Sequence, residues 1–178
     1  MAYSLFSGLF TSIKDSFTLK TAICFLGIDG AGKTTVVEHI LKYFNPEHKI
    51  PSKIIPTMGF ITKTINYKNS IMTLWDIGGK KDFRNIWKSY YPKADVIVFV
   101  VNAQQIDRVH ESRKLFDNLA IEFNGKLCLL FLNANKSILQ FFPSADRGFV
   151  YFADLQNNHD IETLSLWLLA TATKSTSS

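Results

Sequence analysis

Cysteine is scarce. Cys24 and Cys128 are the two thiols of a 178-residue chain, both inside apolar strand-like runs and without C-x-x-C spacing. That excludes a disulfide framework and fits buried free thiols in a reducing cytosol. Proline is sparse, with five residues, which excludes a proline-rich or fibrous chain. No apolar run reaches the roughly 20 residues of a membrane span. The first residues lack the basic start and unbroken apolar stretch of a secretory signal, so none is expected. No nucleic-acid-binding motif and no internal repeat is visible, and no nucleic-acid partner is expected. Acidic charge is in deficit. The net charge of +5 favours anionic partners such as phosphates or acidic membranes, without choosing among them. What the chain does have is 47 % apolar side chains, on a length that suits one domain with a sizeable core.

Residues 27–34 read Gly27-Ile28-Asp29-Gly30-Ala31-Gly32-Lys33-Thr34 and match G-x-x-x-x-G-K-[ST]. An apolar run precedes them (Ala22 to Leu26), and a helical pattern follows (Val36, Val37, Ile40, Leu41, Phe44). Strand, glycine loop and helix is the context a phosphate-binding loop needs. Glycines leave backbone N–H groups free to wrap a phosphate, and the helix start adds its positive dipole end. Lys33 is a mobile point charge for the outer phosphates, and the Thr34 hydroxyl is a hard oxygen suited to Mg²⁺. The loop's expected nucleotide contacts are Asp29, Gly30, Ala31, Gly32, Lys33, Thr34 and Thr35.

The rest of the chain alternates. Strands are expected over about 21–26, 60–67, 71–75, 96–101, 127–132 and 149–153, and helices over about 33–43, 106–123 and from 161 onward. Lys68-Asn69-Ser70 reads as a hairpin turn, and a Ser/Thr tail over 171–178 as disordered. Buried strand runs between helices mean an α/β three-layer sandwich, a P-loop NTPase fold with a mostly parallel sheet and one antiparallel hairpin. Before it, residues 1–17 carry Leu5, Phe6, Leu9, Phe10, Ile13 and Phe17 on one helical face, opposite an almost uncharged Ser/Thr face. Such a helix lies in a membrane interface by apolar insertion or packs in a groove of its own domain. Met1-Ala2 does not fit the Met-Gly start of myristoylation. The domain itself is expected over 18–170. Asp76 ends a strand before Gly78 and Gly79. In a P-loop fold a carboxylate there holds Mg²⁺ through water, and Gly79 can bring its N–H to the terminal phosphate because no Cβ intervenes. Thr57 offers a second hydroxyl that reaches the cation when the terminal phosphate is present.

Residues 27–35 (GIDGAGKTT), 56–60 (PTMGF), 75–79 (WDIGG) and 87–91 (WKSYY) resemble the ADP-ribosylation factor-like (Arf/Arl) small GTPases, over most of residues 1–133. The resemblance implies a GTP/GDP switch with Mg²⁺, monomeric, cytoplasmic and peripheral to membranes of vesicle traffic. It implies an N-terminal helix packed on the domain with GDP and expelled with GTP, as the hairpin of residues 60–75 shifts. It implies exchange-factor and GTPase-activating partners, and effectors docking on Phe60, Trp75 and Tyr90. Plain hairpin packing is an equal reading for Trp75. Base contacts map to Asn135, Lys136 and Ala153.

Departures from the pattern bear on turnover and base choice. Lys80 stands where the family has the Gln that orients the attacking water, so slow hydrolysis is expected. Ile138 stands where the family has the Asp that reads guanine. Loss of that acceptor is expected to cost roughly 2–4 kcal/mol of base preference. Only a short segment separates Lys136 from Ala153, and Phe141-Phe142-Pro143 is expected to cover an exposed sheet edge in place of a helix. The reading is a slow GTP-hydrolysing switch, with a nucleotide-bound scaffold lacking turnover as the alternative. A P-loop kinase is disfavoured, because the Trp-Asp-x-Gly-Gly element and the hairpin before it have no purpose there.

Overall fold

Strands buried on both faces need a layer of helices on each side, and the chain supplies them in alternation. The computed structural model describes residues 18–123 and 125–173. Its strands are β1 (Leu19–Leu26), β2 (Phe60–Tyr67), β3 (Ser70–Ile77), β4 (Val96–Asn102), β5 (Lys126–Leu132) and β6 (Phe149–Ala153). They form one six-stranded sheet in the order β2-β3-β1-β4-β5-β6. Every neighbouring pair is parallel except the β2–β3 hairpin. The helices are α1 (Lys33–Phe44), the single turn α2 (Trp87–Tyr90), α3 (Val109–Glu122) and α4 (Asn158–Thr173). The expected three-layer α/β sandwich is present.

The period of two along each strand sorts the core. Ile23 and Phe25 of β1 pack with Val36 and Ile40 of α1 and Leu164 and Leu168 of α4. Cys24 and Leu26 face the other way, joining Phe99, Phe131 and the α3 residues Phe116 and Leu119. Each such fully buried large side chain contributes roughly 1.5–3 kcal/mol. Cys24 and Cys128 are free thiols inside this core, and burial pushes both up, with Asp76 adding to the effect at Cys24. No described helix is long and apolar enough to cross a membrane.

The hairpin connects the Thr57 segment to the Gly78–Gly79 segment. Tyr67 pairs with Ser70 across a two-residue turn, with Lys68 at φ 50°. Ser70, expected in the turn, instead opens β3 and pairs with Leu19 of β1. At the far end Phe60 pairs with Ile77. That register sets residues 57–59 beside Gly78 and Gly79, and the Gly78 N–H donates to Gly59 O at 2.8 Å.

After β5 the chain makes 3₁₀ turns, Lys136–Phe141 and Pro143–Arg147, where a helix would be usual. The expectation that residues 141–143 cover a sheet edge does not hold. β6 occupies the edge beyond β5. Phe142, 1 % exposed, instead fills the core on the α3 side, edge-on to Phe131 at 5.1 Å and Phe116 at 6.1 Å. The terminal helix runs to Thr173, so 171–173 are helical and not part of a tail. The rest of that tail and the amphipathic segment 1–17 lie outside the described residues.

Candidate functional site

The crossing from β1 to α1 creates the site. Gly32 takes φ 93° at the head of α1, a left-handed conformation that is strained for any side chain. One cleft gathers Asp29, Gly30, Gly32, Lys33, Thr34 and Thr35 with Thr57, Gly79 and Lys80. Ala31 stays fully buried beneath the loop.

Lys33 is 6 % exposed. Its Nζ donates to Gly27 O at 3.0 Å and Ile28 O at 2.9 Å, so the ammonium is held under the loop it serves. Burial pulls its pKa down to about 8, against the opposing charges of Asp76 and Asp29. Between pH of about 8 and its ordinary 10.5 the nucleotide-free fold binds fewer protons here than the unfolded chain. Stability of the free domain therefore rises with pH across that window. Polyphosphate beside Lys33 restores its charge, so the complex binds more protons than the free protein. Nucleotide affinity is therefore expected to fall above pH ~8, by up to about tenfold per unit, with uptake of about half a proton at pH ~8. Calorimetry in buffers of different ionisation enthalpy reads that uptake directly.

The expected cation ligands converge. The Thr34 hydroxyl donates to Asp76 Oδ2 at 2.7 Å, and the Thr57 hydroxyl donates to the same oxygen at 3.0 Å. The two hydroxyl oxygens then stand 3.0 Å apart with their protons both committed. Asp76 is 1 % exposed, and its Oδ1 is buried without a hydrogen-bond partner. Two hydroxyl oxygens beside an orphaned carboxylate oxygen are a hard-oxygen donor set, and that set fits Mg²⁺. No cluster of His, Cys, Asp and Glu suited to a softer metal occurs among the described residues.

Gly79 sits on the loop itself. A Cβ there would lie 2.3 Å from Ile28 C, 2.4 Å from Asp29 N and 2.4 Å from Gly27 O. Lys80 follows it, exposed on the cleft rim. Behind this pair the Trp87 indole N–H donates to Gly78 O at 2.9 Å. Phe60 and Trp75 both meet Tyr90, at centroid distances of 4.7 and 5.6 Å. The three aromatics thus form one surface at the hairpin's site end, with Phe60 45 % exposed.

A second cavity lies between the ends of β5 and β6. Asn133, Asn135, Ala153, Asp154 and Asp160 line it, so Asn135 and Ala153 are brought together. Lys136 is not: it starts a 3₁₀ turn, exposed and outside that lining. Ile138, expected as the altered base reader, points into the core, 8 % exposed among the α3-side residues. The sequence reading missed Arg84, Arg108 and Glu111, which join Asp29 in an ionic cluster behind Gly79. No local spacing pairs Asp29 with Arg84 or with residues at the start of α3.

A model of the ADP-ribosylation factor family matches residues 6–147. The chain belongs to the ADP-ribosylation factor family. ADP-ribosylation factor J of Dictyostelium discoideum is 36 % identical over 142 residues, covering 75 % of this chain and 71 % of that protein. ADP-ribosylation factor-like protein 2 of the same organism is 37 % identical over 147 residues, covering 80 % and 75 %. The Arl6 BBS3 small GTPase of Trypanosoma brucei, solved with the nucleotide analogue GppNp, superposes with a TM-score of 0.70. That likeness covers 88 % of this chain and 99 % of that one at 19 % identity, and shows the fold. As an ADP-ribosylation factor family member, the chain is a GTP-binding switch of the small GTPase class, built for GTP hydrolysis in general.

Proposed function

We propose that this family member is a slow switch, one that binds GTP and Mg²⁺ firmly and hydrolyses GTP poorly. The carrying observation is the pairing of a complete Thr34–Thr57–Asp76 oxygen set with Lys80 directly after Gly79. Lys33 holds the outer phosphates, and Thr34 and Thr57 would ligate the cation, with Asp76 behind them through water. A bound Mg²⁺ would neutralise charge on the phosphate oxygens. Gly79 offers its N–H to the terminal phosphate. An attacking water then needs a neighbour that accepts and donates. The Lys80 ammonium only donates, so it adds charge without orienting the water. Lys80→Gln is expected to raise single-turnover hydrolysis about tenfold or more, the scale of a positioned polar group. An unchanged rate would remove Lys80 as the limiting position.

The base lies, on this reading, in the cavity between Asn135 and Ala153. With Ile138 in the core, the carboxylates at its rim are Asp154 and Asp160. Each spends one oxygen on a backbone N–H, of Gln156 and Asp154 respectively, and keeps the other for a base. The loss of a dedicated reader at residue 138 is what favours the second reading, a nucleotide-bound scaffold without turnover.

The switch works at a membrane surface of the cytoplasm, as a monomer. Leu5, Phe6, Leu9, Phe10, Ile13 and Phe17 insert with GTP bound, and Phe60, Trp75 and Tyr90 meet an effector. Ile55 and Met58, each 73 % exposed, add apolar area on the segment that leads into β2. Deleting residues 1–17 is expected to abolish sedimentation with liposomes in the GTP form. Undiminished sedimentation would refute the anchor.

A further inference from the structure

Arg84 is the most enclosed charge near the site that the proposed chemistry leaves unused. Its side chain is 14 % exposed. Its Nε donates to Gly79 O at 2.8 Å. Its Nη2 stands 2.8 Å from Glu111 Oε1, an ion pair held by charge without hydrogen-bond alignment, and 3.9 Å from Asp29 Oδ1. Arg108 completes the cluster. Its Nη2 donates to Asp29 Oδ1 at 2.8 Å, its Nη1 to Asp29 O at 3.1 Å and its Nε to Glu111 Oε2 at 3.0 Å. Two arginines and two carboxylates thereby tie the phosphate loop, the segment after β3 and the start of α3 into one unit.

The geometry dictates what this does. A trans peptide is planar, so fixing the Gly79 carbonyl also fixes the Lys80 N–H on the opposite side. Gly79 is pressed on its other side against the backbone of residues 27–29. A lysine could supply one point charge here. Only a guanidinium reaches a carbonyl and a carboxylate at once from one rigid fork. An exposed ion pair would be worth little, but this one is shielded and one partner is a buried glycine's carbonyl. Burial raises the Glu111 carboxyl's pKa, and Arg84 and Arg108 outweigh it, leaving it below its ordinary value.

We infer that Arg84 is a positioning residue for hydrolysis. It holds the Gly79–Lys80 peptide against the phosphate loop, and Glu111, fixed by Arg108, holds Arg84. Arg84 acts through Gly79 and touches no substrate. The inference rests on the slow-switch reading for its kinetic arm and on the structure alone for its backbone arm.

The test uses the full chain with Arg84→Ala, Arg84→Lys and Glu111→Gln. Each is assayed for single-turnover GTP hydrolysis, GDP affinity and amide hydrogen exchange over residues 78–82. Arg84→Ala is expected to slow hydrolysis about tenfold and to speed Lys80 amide exchange about tenfold, the factor one charge-assisted hydrogen bond carries. GDP affinity should stay within about twofold, because Lys33 and residues 30–35 keep their contacts. Arg84→Lys should recover part of both changes, and Glu111→Gln should show both at about threefold. If Arg84→Ala does not fold, the other two variants decide by the same readouts. Unchanged exchange at Lys80 overturns the inference, and so does a GDP affinity that falls in step with hydrolysis. A chain that binds no GTP would sink the functional reading, while the exchange arm would still report on Arg84.

Discussion

Lys33→Ala should lower GTP affinity by roughly 100- to 1,000-fold, about 3–4 kcal/mol, on the scale of charge-assisted bonds to phosphate. The size follows from where the ammonium sits. Lys33 is buried and already oriented by Gly27 O and Ile28 O, so binding does not have to order it. Removing it leaves those carbonyls to whatever water enters the cleft, and the melting temperature should fall by several degrees, the response to about 1 kcal/mol in a domain of this size. The variant should also lose the decline of affinity above pH ~8, because no other group at the loop has its proton shifted into that range by burial. A fluorescent-nucleotide titration at pH ~7 and ~9 separates these effects. An affinity within threefold of the unmodified chain would mean that the loop is not the phosphate cradle.

Gly79→Ala should separate GTP from GDP. The new methyl meets backbone on every side, at 2.3–2.4 Å from atoms of residues 27–29, and backbone of a buried loop does not yield as a side chain would. The segment around Gly79 must lift away from the loop, at a cost of about 1–3 kcal/mol in stability. Lifting removes its N–H from the terminal phosphate, and one such donor is worth about 100-fold in rate. Hydrolysis should fall by that factor and GTP affinity should drop, with GDP affinity held within a few-fold because residues 30–35 are untouched. Equal losses for both nucleotides would mean that Gly79 does not sense the terminal phosphate.

Much of this was readable from residue order, because local rules agreed with tertiary ones. The phosphate loop shows itself through glycine spacing between an apolar run and a helical run. Alternation reveals β2 and β3 as a hairpin, although β3 runs from Ser70 to Ile77 and takes Ser70 out of the expected turn, and a short apolar run reveals β6 at 149–153. Thr34, Thr57 and Asp76 each carry a separate local signal, and the fold brings them within 3.0 Å of one another. What failed to show was long-range. Phe142 reads as a surface cover because its neighbours Phe141 and Pro143 are apolar as well, and its place in the α3-side core, between two 3₁₀ turns, is set by tertiary packing. Ile138 could be read as an altered base contact from its spacing after Lys136. Its hydrophobicity instead turned the 3₁₀ segment inward. Arg84 and Glu111 are 27 residues apart, and their meeting depends on how α3 crosses the sheet, which no window of sequence contains.

The membrane reading stands on residues 1–17 and the effector reading on three clustered aromatics, and both presuppose a nucleotide-loaded domain. The most direct measurement is therefore equilibrium binding of GTP, GDP and ATP to nucleotide-stripped protein, each with Mg²⁺ and with EDTA. The expected result is guanine nucleotide bound more tightly than ATP, with GTP weakened strongly by EDTA through Thr34, Thr57 and Asp76. Tighter binding of ATP, or GTP binding indifferent to Mg²⁺, would contradict it.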